Sequence, residues 1–334
     1  MFETFGKLPT GAEMVKILRS SNYKNGSFQN LSHAAMRVNM KVLLQMINRA
    51  RNVKPPKALP SIKTDLRSMA HNSLVWFGHS SYLMQLDGKF ILVDPVLSGN
   101  ASPFTFTTRA FAGSDVYAVK ELPEIDVLVL SHDHYDHMDH RTLVLLKDKI
   151  KAVVCPLGLI PHFLRWGYDP AIIQELDWWE ETTVGGVHFV ATPAKHFSGR
   201  GLKRGQSFWN SYVLNTGKYN IYIGGDSGYD IHFKKIGEKY GPFDLAILES
   251  GQYNVAWHGI HMMPEETVHA AQDLRSKLLL PVHWGKFALA MHPWDEPIKR
   301  VMEEAKKMNV TVTTPMIGEP LILGGNYPVK EWWM

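Results

Sequence analysis

Apolar residues recur along this chain in two rhythms. Over about the first 65 residues the spacing is helical. Met14, Ile17 and Leu18 form a stripe behind Thr10-Gly11-Ala12-Glu13, a capping-box pattern. A longer stripe of Met36, Met40, Leu43, Ile47 and Ala50 follows Ser32 as a second N-cap. Lys54-Pro55-Pro56-Lys57-Ala58-Leu59-Pro60 reads as a stiff linker. Beyond it the period falls to two. Strands are predicted over 73–77, 81–86, 89–93, 127–130, 152–154, 187–191, 212–214, 220–223, 245–248, 279–282 and 310–313. Asp87-Gly88 and Thr216-Gly217-Lys218 mark hairpins. Helical spacing returns over 141–149, 231–240, 264–277 and 297–307, and Pro264-Glu265-Glu266 is a helix start. This order predicts two sheets packed face to face with helices outside. An N-terminal helical extension over 1–66 is expected to pack on a catalytic domain over 67–334.

Composition narrows the class. The 334 residues are 45% apolar and 20% charged, ordinary for a globular protein. No apolar run reaches the ~18 residues that a membrane span needs. Residues 1–7 lack the apolar core of a signal peptide, so a cytoplasmic location is expected. Cys155 is the single cysteine, which excludes an intrachain disulfide. The net charge of +4 is too mild to imply nucleic acid.

The candidate chemistry begins at His132-Asp133-His134-Tyr135-Asp136-His137, just after the apolar run Val127-Leu128-Val129-Leu130. On a loop leaving a strand, four such side chains can wrap around two ions. Further loops bring His196, Asp226 within Gly224-Gly225-Asp226-Ser227-Gly228, and His283, each just past a predicted strand. One histidine alone is more often a structural hydrogen-bonder, and Asp226 alone a turn residue; the joint pattern argues for a binuclear metal site. Imidazole and carboxylate suit Zn2+ first, with Fe or Mn open. Two divalent ions less the charges of Asp136, Asp226 and a bridging hydroxide leave a positive remainder, which favours an anionic substrate.

From His79 onward the motif order resembles the metallo-β-lactamase superfamily of hydrolases. That resemblance implies an α/β (α+β) four-layer αββα sandwich with two metals at the sheet edge. It implies His132, His134 and His196 on one metal, Asp136, His137 and His283 on the other, and Asp226 bridging. Phe5-Gly6-Lys7-Leu8-Pro9, Asn22 to Asn30, Trp76 to Ser81, Asp94-Pro95, Thr192 to His196, His261 to Glu266 and His283 to Phe287 are similar to one branch. This is the N-acyl-phosphatidylethanolamine-hydrolysing phospholipase D branch with its bacterial relatives. The family activity is phosphodiester cleavage that frees an N-acylethanolamine and leaves phosphatidic acid, with a metal-bridging hydroxide as nucleophile.

Other residues carry narrower expectations. His261 would contact the phosphate or protonate the leaving alkoxide. Asp94 and Ser227 would orient ligating histidines or backbone, and His79 would do the same or face substrate. Arg200, Lys203, Arg204 and Lys286 are candidate substrate contacts, and Tyr253, Trp257, Phe104, Phe106 and Phe111 candidate channel aromatics. A basic flank of Arg37, Lys41, Arg49 and Arg51 beside the methionine stripe suits either peripheral membrane contact or packing against the sandwich or a second subunit, as in a homodimer. A lactonase or other ester hydrolase on this scaffold, or a non-catalytic metal-binding protein, are the competing readings.

Overall fold

The computed structural model describes residues 2–34, 40, 42, 44 and 52–334. Most of the second predicted helix, including Met36, Leu43, Ile47, Ala50 and its basic flank, lies outside the described residues. Helix α1 spans Glu13–Arg19 and buries Ile17 against Phe28, Trp178 and Phe208, while Leu18 is exposed. Half of the expected capping box forms: Glu13 accepts the Thr10 N–H at 2.8 Å, but the cap position is Ala12. Asn25-Gly26 then turns a small hairpin, β1 (Tyr23–Lys24) and β2 (Ser27–Phe28).

The main body follows as β3 (Ser73–Trp76), β4 (Tyr82–Leu86), β5 (Lys89–Val93), β6 (Val127–Val129), β7 (Val153–Pro156), β8 (Ile173–Leu176), β9 (Glu181–Val184), β10 (Val187–Pro193), β11 (Asn210–Asn215), β12 (Asn220–Ile223), β13 (Leu245–Glu249), β14 (Leu279–Val282) and β15 (Pro320–Ile322). These make a seven-stranded sheet ordered β15-β3-β4-β5-β6-β7-β8 and a six-stranded sheet ordered β14-β13-β12-β11-β10-β9. The helices are α2 (His140–Leu146), α3 (Ile160–Arg165), α4 (His232–Tyr240), α5 (Pro264–Asp273) and α6 (Glu296–Met308).

Alternation along the strands builds the four layers. Trp76, Tyr82, Met84 and Val129 of one sheet meet Phe189, Tyr212, Ile223 and Ile247 of the other. The opposite face of the seven-stranded sheet, Val75, Leu83, Leu92 and Leu128, packs on Leu143, Leu146 and Phe163 of α2 and α3. The opposite face of the six-stranded sheet, Val213, Tyr222 and Ala246, packs on Phe233, Val268 and Val301 of α4, α5 and α6. Each such fully buried side chain contributes about 1.5–3 kcal/mol. The αββα sandwich expected from the sequence is the architecture observed.

Three local expectations change. The strand predicted over 310–313 reduces to one bridge, Val312 to Leu279, because Thr314 turns away to bond Pro328. The helix predicted over 264–277 ends at Asp273, and Arg275 beyond it is left-handed (φ 55°). Strands β8, β9 and β15 were not expected; β9 is a polar edge strand, Glu-Thr-Thr-Val, with no apolar period to betray it. Asp139 caps α2 as expected, accepting the Arg141 N–H at 3.2 Å.

Strand direction positions the site. β3, β5 and β6 run the same way in the first sheet, and β10, β12, β13 and β14 the same way in the second. Their carboxyl ends therefore open onto a shared edge of the sandwich.

Candidate metal centre

Each strand delivers one group to that edge. β3 leads to His79, β5 to Asp94, β6 to the 132–137 loop, β10 to His196, β12 to Asp226 and β14 to His283. His79, Asp94 and His283 all hold left-handed backbone, with φ of 55°, 41° and 67°. Such strained non-glycine positions persist only where surrounding contacts enforce them. Here the contacts are visible: the His79 N–H donates to Trp284 O and the His283 N–H donates back to His79 O, both at 2.9 Å. Before Asp226, Gly225 has φ 60°, and a Cβ there would sit 2.8 Å from Ser131 Cβ, so only glycine admits the loop this close.

Two neighbouring groups of ligand atoms result. His132, His134 and His196 form one; His79, Asp136, His137 and His283 form the other, the atoms of each within 4.8 Å of one another. Asp226 stands between them. Its Oδ2 is 3.2 Å from His137 Nε2, 3.7 Å from His196 Nε2 and 3.9 Å from His132 Nε2, and its Oδ1 is 3.2 Å from His283 Nδ1. His79, expected as a supporting residue, lies with the second group, its Nε2 2.9 Å from Asp136 Oδ2.

Supporting hydrogen bonds fix the rings. Asp94 accepts from Ser131 N–H (2.8 Å) and Oγ (2.6 Å), and lies 2.8 Å from His137 Nδ1. His196 Nδ1 donates to Ile260 O at 2.9 Å. Ser227 accepts the Lys195 N–H at 2.9 Å and donates to Gly228 O at 2.8 Å, holding the loop around Asp226.

The residues fit divalent cations by their unmet valence. His137 Nε2 and Asp226 Oδ1 are buried and make no hydrogen bond, although charges of opposite sign crowd them. Burial holds His132, His134, His196 and His283 below the ordinary imidazole pKa, the neutral form that a metal requires. Burial also opposes charge on Asp226, but the facing His137 outweighs it and keeps the carboxyl well below its usual range. Burial lowers the pKa of His137 itself, yet Asp226, Asp136 and Asp94 lift it above the ordinary imidazole range; a bound cation would take the place of that His137 proton. Neutral imidazoles with ionised carboxylates are the donor set of a divalent ion.

Above the groups opens a cavity of about 310 Å3, lined by His134, Asp136, His196, Asp226 and His283 and walled by Phe197, Trp257, Ile260 and Leu289. Arg204 and Gln252 also line it. So does His261, whose Nδ1 lies 2.7 Å from Glu249 Oε2. Burial opposes a charge on His261, yet the facing Glu249 carboxylate lifts its pKa to about 9. Burial in turn raises Glu249 to about 7 against the pull of His261.

Several expected substrate contacts are elsewhere. Lys286 is fully buried, its Nζ 3.0 Å from Val96 O, 3.3 Å from Phe77 O and 3.2 Å from Asp115 Oδ1. Arg200 is also buried, donating to Asp133 O (2.7 Å), Met138 O (2.6 Å) and Thr4 O (2.7 Å) over the Tyr135 ring. Both serve packing, because carbonyl oxygens rather than the cavity claim their protons. Lys203 is exposed and does not line the cavity; its neighbour Arg204 does, 4.8 Å over the Phe197 ring. Of the aromatic candidates only Trp257 lines the cavity; Phe111 is core, Phe104 and Phe106 are exposed, and Tyr253 stacks on His292. Glu249 escaped sequence reading. Its signal was an acid closing the buried apolar run Leu245–Glu249.

Comparison with known proteins agrees with this geometry. Residues 89–284 match the model of the beta-lactamase superfamily domain. An uncharacterized protein of Mycobacterium tuberculosis is 38% identical over 94% of this chain and 88% of its own length. An N-acyl-phosphatidylethanolamine-hydrolyzing phospholipase D of Caenorhabditis elegans is 32% identical over 74% of each chain. Among solved structures, a metallo hydrolase of Ignicoccus hospitalis superposes with a TM-score of 0.56 at 20% identity, covering 75% of this chain and 97% of its own.

Proposed function

This chain belongs to the beta-lactamase superfamily of metal-dependent hydrolases, in the N-acyl-phosphatidylethanolamine-hydrolysing phospholipase D-like branch, and from that premise we propose that it is a binuclear phosphodiesterase for an amphiphilic substrate. The observation that supports this is the cavity itself. Its floor is a histidine–aspartate set, its wall is apolar through Phe197, Trp257, Ile260 and Leu289, and Arg204 lies among them. A charged phosphodiester with an acyl chain has matching chemistry.

In this reading His132, His134 and His196 would hold one cation and Asp136, His137 and His283 the other, with Asp226 available to both. When bound, two divalent cations supply Lewis acidity at a phosphoryl oxygen and bring the pKa of water toward ~7. The chain supplies the rest. Arg204 meets the phosphate charge, and the apolar wall takes the acyl chain and excludes bulk water. His261 faces the alcohol that departs. Water oxygen bonds to phosphorus, the phosphorus–oxygen bond to the N-acylethanolamine breaks, and the proton that the water loses ends on that departing oxygen.

Purified protein loaded with zinc tests the reading against N-acylated phosphatidylethanolamine in mixed micelles, bis(p-nitrophenyl) phosphate and a lactone. Release of phosphatidic acid with N-acylethanolamine is expected. Turnover of the lactone with neither phosphodiester cleaved would overturn it and favour the ester hydrolase.

A further inference from the structure

Glu249 is a carboxylate with no solvent contact and, among the described residues, no cation of lysine or arginine beside it. Burying it is costly, so its hydrogen bonds need a reason. They are complete. Oε1 accepts the Met262 N–H at 2.8 Å and the Ser227 N–H at 3.3 Å, Oε2 faces His261 Nδ1 at 2.7 Å, and the main-chain oxygen accepts from Thr267 Oγ1 at 2.8 Å. The ligand atom of Glu249 lies within 4.8 Å of those of Asp226, His261 and His283, but both of its carboxylate oxygens are already hydrogen-bonded. It is well placed to hold a ring.

We propose that Glu249 is the positioning residue for His261: its Oε2 accepts a hydrogen bond from Nδ1–H on the inward side and thereby fixes Nε2 as the nitrogen presented to the cavity. This rests on the phosphodiesterase reading only for the identity of the departing group; the orientation of the ring does not depend on it. The backbone bonds of Met262 and Ser227 to Oε1 aim the carboxylate, because they leave Oε2 for the imidazole. His261 is also sandwiched, its ring stacked on His283 at 5.4 Å and 20° and edge-on to His196 at 5.0 Å. The ring can therefore turn about its axis only by breaking a charge-assisted hydrogen bond. Among the described residues Nε2 has no hydrogen-bond partner, on a residue that lines the cavity. Ring orientation by a carboxylate on the far nitrogen is the same physical device as in other histidine sites.

The test begins with the wild-type zinc-loaded protein, by 15N–1H spectroscopy of labelled histidines, with His261 assigned from the signal lost in His261→Asn. A proton on Nδ1, shifted strongly downfield, is expected; an unprotonated Nδ1 overturns the proposal whatever the enzyme hydrolyses. Glu249→Gln should then move the His261 nitrogen signals, keep metal content, and lower kcat at least 10-fold with KM within about 3-fold. In the double variant Glu249→Gln/His261→Asn, kcat should match His261→Asn alone, since the two act as a unit. A further 10-fold loss in the double variant, or lost metal in Glu249→Gln, would mean that Glu249 acts on the fold or as a metal ligand and not through His261. Should no phosphodiester be turned over, the function reading fails while the spectra still decide the ring.

Discussion

Asn30 holds His196 by both ends of its amide. Its Nδ2 donates to His196 O at 2.8 Å and its Oδ1 accepts the His196 N–H at 3.0 Å. The N-terminal segment thus reaches into the candidate metal centre and sets the backbone of one of its histidines. Asn30→Ala should lower metal affinity, and turnover with it, by about 10–100-fold, the usual range for a residue that orients a ligand. Titration of the apo variant with a chromophoric zinc chelator measures it, with circular dichroism unchanged.

Asp226→Asn removes the charge common to both ligand groups. Loss of turnover by more than about 100-fold, beyond the range for orienting residues, is expected with the fold intact. Metal analysis should show depleted cation in the same preparation, and His132→Ala should behave alike. Full activity in either variant would remove these residues from the ligand set.

Chelation of the wild-type protein should lower its thermal midpoint as well as its activity. A cation present at about 1,000 times its Kd contributes about 4 kcal/mol of stability, which the chelator withdraws. Restoring zinc, iron or manganese singly and reading melting and turnover together identifies the ion that serves both.

Gly6→Ala should destabilise the docking of residues 2–9. Gly6 has φ 68°, and a Cβ would lie 1.9 Å from His162 Nδ1, the atom that accepts the Lys7 N–H at 3.0 Å. Strain and the lost hydrogen bond together cost about 1–3 kcal/mol. Denaturant unfolding and faster proteolysis near the N-terminus would report it; an unchanged midpoint and cleavage pattern would refute it.

Asp230 gives the acid limb of stability. Burial raises its pKa, but Ser32, Lys195 and the Ile231 N–H outweigh that and bring it from 3.8 to about 2. A depressed folded-state pKa means stability that is present above the unfolded value and lost as pH falls through the folded one. Asp230→Asn should therefore be less stable than wild type at neutral pH. The gap should narrow between about pH 4 and pH 2, and a gap independent of pH across that window would show that the charge contributes nothing.

Legibility of the sequence followed locality. His132 to His137 were readable because a strand of fixed length ends just before them, and Asp226 because glycines announce a close approach. Lys286 was misread for a reason of direction. It follows His283 closely, but Gly285 (φ 74°) turns the chain so that the lysine points back between Phe77 and Val96. Arg200 was misread because its acceptors, Thr4 and Asp133, are distant in sequence or offer only main-chain oxygen. Glu249 went unseen because its partner arrives from another loop, and no periodicity encodes which ring an isolated acid will face. The apolar rhythm predicted the inner strands well and missed edge strands such as β9, which need only one neighbour and carry no buried stripe.

The paired main-chain bonds of His79, its N–H to Trp284 O and its O from the His283 N–H, stitch the first sheet to the second at the floor of the centre. A nascent chain emerging from a ribosome cannot close that stitch until Trp284, some two hundred residues after His79, has been synthesised. Cation capture should accordingly wait for the last of these loops, and a product truncated before it or only half-docked should remain blind to the ion.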